Sequence, residues 1–416
     1  MNFASFYFDR FNSKPKIFNN NPCSNTGIVV VIPCYRDEFV FKTLDSLEKA
    51  KNVSLGIEVI VILNSSENDL DKTIQMNKKI SDELSSRADS LYYSNFNLLV
   101  HNEVNIPPKS AGVGNARKIG MDEAVRRFEF LNKPDGIVLS LDADTIVEPD
   151  YFVQIKNAFI KNKKTGAFYF QFQHDFDNLL YDQNVINACK LYETNLRYFR
   201  LALNYTEYPH AIHTIGSCFG VKAINYIKAG GMSRRQGGED FYLLHKLSSQ
   251  TKIGVVRKII VRPSPRESDR VPFGTGPAVG QILNSNDYKV YQFKLFSILK
   301  EFFELFEDFY SDFTGSINKI PLQVLNYFGE DKIAAIVSEC LKNTNNYKAF
   351  NKRMFSKFDA FATVKFLNSF DEDSEYAKID VKLAAIELLN KLTPYNHQDS
   401  SVEQVYQSIL ELDCNS

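Results

Sequence analysis

The sequence predicts an α/β protein. A Rossmann-like sheet flanked by helices is expected over residues 27–280, followed by an all-helical C-terminal region over 281–416 and preceded by an N-terminal arm, 1–26. Three observations carry this. From Ile28 onward, short aliphatic runs alternate with helically spaced segments, the pattern of strands joined by crossover helices. One such run, Ile137 to Leu141, ends abruptly in Asp142-Ala143-Asp144. After residue 281 the apolar period changes to three and four.

The arm is polar and Asn-rich, with Phe3, Phe6, Phe8, Phe11 and Phe18, and reads as irregular chain whose aromatic residues lie on the main domain. Ile28 to Ile32 is five consecutive aliphatic residues, a strand buried on both faces. Pro33 ends it, and Cys34-Tyr35-Arg36-Asp37-Glu38 follows as a loop. Val40, Leu44 and Leu47 space a helix over 39–51, and Glu58 to Leu63 is a second strand leading into the polar loop Asn64 to Asp69. Residues 70–90 read as helix and Leu98 to Val100 as a third strand. Ligands of such sheets bind beyond the carboxyl ends of the strands, so the Pro33 loop, the Asn64 loop and the Asp142 turn share one edge.

Gly112-Val113-Gly114 opens a helix through Ala116, Ile119, Ala124, Val125 and Phe128, with Arg117 in its first turns. Ala167 to Phe172 reads as a strand, 176–205 as a helix, and His213 to Gly220 as a short strand or turn. Glu239-Asp240 follow Gly237-Gly238 and start a helix with apolar face Phe241, Leu244 and Leu247; acids there also serve as simple dipole partners. The strand Ile253 to Val261 runs into Arg262 to Gly276, a polar loop stiffened by prolines and long enough for an active-site lid. A surface loop tied by ion pairs has the same composition. Further helices are expected at 321–328, 331–342, 351–369, 378–392 and 401–412. Their aromatic stripes read as core rather than as a membrane face, and a homodimer or partner role stays open.

Bulk properties weigh against several classes. A net charge close to zero argues against a nucleic-acid partner, which would need a concentrated basic surface. No run reaches the ~18 apolar residues of a membrane span, and Met1 to Arg10 lacks a signal peptide's pattern. The six cysteines are scattered, without Cys-x-x-Cys spacing, which fits reduced thiols and a cytoplasmic location. His174, His210, His213 and His245 read as structural.

A strand ending in Asp-x-Asp delivers two hard oxygen ligands to a sheet edge, as Mg²⁺ or Mn²⁺ needs when it also holds a diphosphate. A solvated acidic turn is the alternative. The whole set resembles the family 2 glycosyltransferases of GT-A fold (the nucleotide-diphospho-sugar transferase superfamily). The residues that carry it are Ile32-Pro33-Cys34-Tyr35-Arg36-Asp37-Glu38, Asn64 to Asp69, Gly114-Asn115-Ala116-Arg117-Lys118, Asp142-Ala143-Asp144 and Gly238-Glu239-Asp240, in that order over 27–280. Asn64 and Ser65 stand where the family has an Asp-rich turn. Processive members carry a Gln-x-x-Arg-Trp motif and membrane helices; this chain has no Trp.

The resemblance implies transfer of a hexosyl or N-acetylhexosaminyl unit from a nucleotide-diphosphate donor to an acceptor hydroxyl. The acceptor is a glycan, a lipid-linked glycan or a small molecule, and the expected setting is bacterial surface glycan synthesis. It implies Asp144 and Asp142 as ligands of Mn²⁺ or Mg²⁺, Asp240 as base and Glu239 as its fallback. Pro33, Tyr35, Glu38, Asn64, Lys109, Arg117 and Ala143 join Asp142 and Asp144 in the nucleotide-sugar pocket. Arg266 and Arg270 are candidates for lid or acceptor contacts. An inverting, non-processive reaction is expected; a retaining enzyme, or an inactive nucleotide-sugar-binding scaffold, is the alternative.

Overall fold

The computed structural model describes residues 3–11, 15–177, 180–272, 274–285 and 287–416. The chain forms two compact units, residues 1–189 with 213–280, and residues 190–212 with 281–416.

The first unit holds an eight-stranded sheet. Its strands are β1 (Thr26–Cys34), β2 (Gly56–Ser66), β3 (Asn97–Ile106), β4 (Ile137–Ser140), β5 (Ile146–Val147), β6 (Thr165–Phe172), β7 (Phe219–Lys222) and β8 (Lys252–Arg262). Their order is β3-β2-β1-β4-β7-β6-β8-β5. β1 to β4 are mutually parallel, whereas β7 runs antiparallel to both β4 and β6, so the sheet is mixed. Ile28 to Ile32 and Val59 to Leu63 are fully shielded from water, because helices cover both faces.

Chain direction across the sheet fixes where a ligand fits. From β1 the sheet is built outward through β2 and β3; β4 then returns to the other side of β1. Val31 pairs with Ser140, and the Leu141 amide donates to the Val31 carbonyl at 3.1 Å. Pro33 and Asp142 therefore emerge side by side at the carboxyl end of a topological switch point.

The Val113–Phe130 helix lies against β1 and β2 and is fixed by a buried fork. Arg127 donates to both oxygens of Glu58, from Nε at 2.5 Å and Nη2 at 2.8 Å. The arm, expected to be irregular, contains a short helix, Ser5–Arg10. Its anchor is Tyr7, buried with its hydroxyl donating to Asp122 at 2.7 Å, while Phe6 is exposed. The helix expected from residue 176 begins at Gln183; Asn178 and Leu179 lie outside the described residues.

The second unit is helical apart from a two-stranded ribbon, β9 (Lys289–Val290) against β10 (Ile379–Asp380). Phe302, Phe306, Phe309 and Phe358 pack edge-on and tilted in its core. The single helix expected over 351–369 is two, Tyr347–Lys357 and Ala360–Leu367. Asp359 separates them by capping the second, its carboxylate accepting from the Ala362 amide at 2.8 Å. Deep in this unit Arg197 bridges Glu193 at 3.0 Å and Asp413 at 2.6 Å, all three inaccessible to water. Tyr406 donates to Glu193 at 2.9 Å. Among the described residues no helix is long and apolar enough to cross a membrane.

Candidate active site

Arg117 sits at the centre of the sheet edge. Its guanidinium donates to Asp142, just past β4, and to Glu239, the first residue of the Glu239–Gln250 helix. Arg117 and Glu239 are buried, while about a third of the Asp142 side chain reaches solvent. The side chain passes over Gly216; a β-carbon there would collide with the Arg117 guanidinium, so glycine leaves room for this path. Gly238 adopts a left-handed turn (φ 69°) that starts the helix with the two acids facing the site. Asp240 receives the Phe241 amide at 2.7 Å. Burial first, then the neighbouring Glu239 charge, push its carboxyl up to about 7, with Arg117 pulling the other way.

A second cluster closes the other end of the edge. Arg266 and Arg270, from the loop after β8, each donate to both Asp37 and Asp144. Asp37 follows β1 and is almost wholly buried; Asp144 keeps about a quarter of its side chain exposed. The Arg266 guanidinium also lies over the Phe39 ring, 4.5 Å from its centroid. Phe273 of this loop lies outside the described residues.

The acidic residue that faces the site from the first loop is thus Asp37, not Glu38 as expected. Glu38 points away, half exposed and 3.4 Å from Lys79. Consecutive acids after a strand face opposite ways, and sequence does not say which turns inward. Tyr35 donates to Asp69 at 2.8 Å; burial, then that acid, push its phenol up to about 12. Pro33 is buried in β1. The Asn64 amide donates to the Gly112 carbonyl at 2.8 Å, tying β2 to the start of the Arg117 helix. Asn77, fully buried, donates to the Asn64 carbonyl at 3.1 Å and to Ser65 Oγ at 2.8 Å, and accepts the Arg36 amide at 2.8 Å. It was not legible in the sequence, because a lone Asn within a helical stretch carries no signal. Ala143 is buried, its carbonyl accepting from Thr43 Oγ1 at 2.8 Å, so it spaces the two acids rather than facing solvent. Lys109 is exposed and has no side-chain partner among the described residues.

Asp142 and Asp144 offer hard carboxylate oxygens at a partly solvated edge. No group of three metal-ligating side chains exists among the described residues. Two carboxylates suit an ion of the Mg²⁺ or Mn²⁺ class, which draws its remaining ligands from water and substrate oxygens. His174 is engaged with Thr275 Oγ1 at 3.1 Å and His213 packs edge-on against Phe172.

Residues 29–226 match the family described as glycosyl transferase family 2. No protein with a curated function matches the sequence. Among solved structures, S. aureus TarS (residues 1–349) in complex with UDP-GlcNAc is similar at 16% identity and a TM-score of 0.40, over 80% of this chain and 91% of that one. The mannosyltransferase PcManGT from Pyrobaculum calidifontis, in complex with GDP-Man and Mn²⁺, aligns at 14% identity and a TM-score of 0.35, over 94% of this chain and 95% of that one. Glucosyl-3-phosphoglycerate synthase from Mycobacterium tuberculosis, with Mn²⁺, UDP and phosphoglyceric acid, aligns at 13% identity and a TM-score of 0.35, over 56% of this chain and 68% of that one. Residues 29–226 thus carry a glycosyl transferase family 2 domain, the mark of a glycosyltransferase.

Proposed function

We propose that the chain is an inverting, metal-assisted, non-processive glycosyltransferase in which Asp240 is the base. The observation that carries this reading is Arg117 joining Asp142 to Glu239. One guanidinium sets the acids past β4, on the donor side, beside the acids of the Glu239–Gln250 helix. It also separates the roles of the two helix acids. Glu239 is buried and committed to Arg117, whereas Asp240 has a raised proton affinity suited to base catalysis near neutral pH.

In this reading the Asp240 carboxylate takes the proton of the acceptor hydroxyl as that oxygen attacks the anomeric carbon. The bond to the diphosphate breaks on the opposite face, giving inversion. Asp144 and Asp142 would hold Mn²⁺ or Mg²⁺, which supplies Lewis-acid stabilisation of the leaving diphosphate. Arg266 and Arg270 release their carboxylates and turn onto the diphosphate charge. Tyr35 and Asn64 line the nucleoside side, with Asn77 holding the loops that carry them.

The test is thermal unfolding of the full chain with UDP, GDP or CDP, each with and without Mn²⁺. A ligand at roughly a hundred times its dissociation constant adds ~2.7 kcal/mol to the folded state. A metal-enhanced rise in Tm with one nucleotide is expected. No rise with any of the three, in Mn²⁺ or Mg²⁺, overturns the donor-site reading.

A further inference from the structure

A cavity of about 330 Å³ opens in the first unit between the Val113–Phe130 helix, the chain before Gly238 and the Glu239–Gln250 helix. Its described lining includes Lys118, Arg234 and Lys246, with Gly230, Gly231 and Ser233, and no carboxylate. Lys118 is buried and held in place by Asp122 at 3.0 Å and the Tyr7 hydroxyl at 3.1 Å. Arg234 and Lys246 are exposed, and neither side chain has an ion-pair or hydrogen-bond partner among the described residues. Lys118 is compensated by Asp122, so the local excess of positive charge at the cavity is that of the two unpaired cations, Arg234 and Lys246.

The three elements that supply these cations are the ones that build the active site. Lys118 follows Arg117 on the same helix. Arg234 lies on the segment leading to Glu239. Lys246 is two turns further along the helix that begins at Glu239, about 10 Å along its axis. Lys246 lies six residues beyond Asp240, about 9 Å along the helix axis, a separation that an extended acceptor with its hydroxyl at Asp240 can span. We propose that this cavity binds a phosphate carried by the acceptor, so that the substrate class is a phosphorylated polyol or glycan. The proposal rests on the reading of Asp240 as the base and deepens it. Arg234 and Lys246 donate charge-assisted hydrogen bonds to the phosphate oxygens, and the Lys118–Asp122 pair fixes the cavity wall beside them.

The test uses the full chain, with inorganic phosphate, glycerol 3-phosphate and glycerol as probes, each titrated by calorimetry in the presence of UDP and Mn²⁺. Both phosphate probes are expected to bind, glycerol is not, and the affinity is expected to fall as salt is raised. In the double variant Arg234→Ala/Lys246→Ala, and separately in Lys246→Glu, phosphate affinity falls by about tenfold or more. The UDP dissociation constant of each variant serves as the folding control. Equal phosphate affinity in wild type and variants overturns the site. Binding of inorganic phosphate without glycerol 3-phosphate overturns its assignment to the acceptor. Failure of UDP to bind the wild type strikes the donor reading instead, and is scored separately from the phosphate titration.

Discussion

Asp37 and Asp144, one after the first strand and one after the fourth, share the same two guanidinium groups. Each arginine of the loop after β8 bridges both acids, so the loop is latched across the edge where a diphosphate is proposed to sit. An anion bearing more charge than a carboxylate competes for those guanidinium groups on favourable terms.

That competition predicts the behaviour of the loop. Arg266→Ala/Arg270→Ala removes both latches and both proposed diphosphate contacts. UDP is expected to bind about tenfold or more weakly, and Tm without ligand is expected to fall, because the buried Asp37 carboxylate loses both of its cations. Isothermal titration of UDP in Mn²⁺ measures this. Unchanged affinity would return the loop to the role of a surface tether.

With Asp240 as the proposed base, the rate is expected to depend on pH. Burial and the Glu239 charge push its carboxyl up to about 7, so donor turnover is expected to rise with pH up to about 7 and then level. Asp240→Asn is expected to lose about two to four decades of turnover while UDP binding stays intact. The same shift has a stability consequence of definite sign. The folded pKa lies above the unfolded value of about 3.9, so between those values the folded state holds a proton that the unfolded chain has released. Stability from this group is therefore greatest at low pH and is lost as pH rises towards 7. Subtracting Asp240→Asn unfolding curves from wild-type curves at pH 5 and pH 8 isolates the contribution; a difference of the opposite sign would falsify the assignment.

Gly216 lies beneath the Arg117 guanidinium. Gly216→Ala is expected to push Arg117 off Asp142 and Glu239, lowering turnover by tenfold or more as order of magnitude, since a small displacement of positioned groups is costly. Gly216→Ala kinetics beside Arg117→Lys decide the matter. A Gly216→Ala enzyme of wild-type turnover would show that the path of Arg117 is not confined.

In the second unit, Asp413→Ala leaves Arg197 and Arg200 without a carboxylate they both contact in a dry interior. The expected loss is about 3–5 kcal/mol, read as a drop in denaturation midpoint. A change below about 1 kcal/mol would mean that Glu193 alone satisfies Arg197.

Much of the first unit was legible in the chain itself. Ile28 to Ile32 and Glu58 to Leu63 are runs that a doubly covered strand explains, and alternation with helical spacing marks the first strands as a parallel sheet with crossover helices. The acids at 142, 144, 239 and 240 announce themselves by composition next to a strand end or a glycine turn. Tertiary structure alone decided which of them face one another, and through what. Arg117 as the bridge, Gly216 beneath it, Asp37 rather than Glu38 turned inward, and Asn77 between two loops are relations between residues far apart in sequence. Local sequence sets strand and helix because backbone propensity and apolar period act over a few residues. It does not set which side chain of a loop meets which partner, because that depends on crossings of the chain that bring distant segments to one sheet edge. The same holds for residues 190–212, which join the helical unit through the buried Arg197–Asp413 pair.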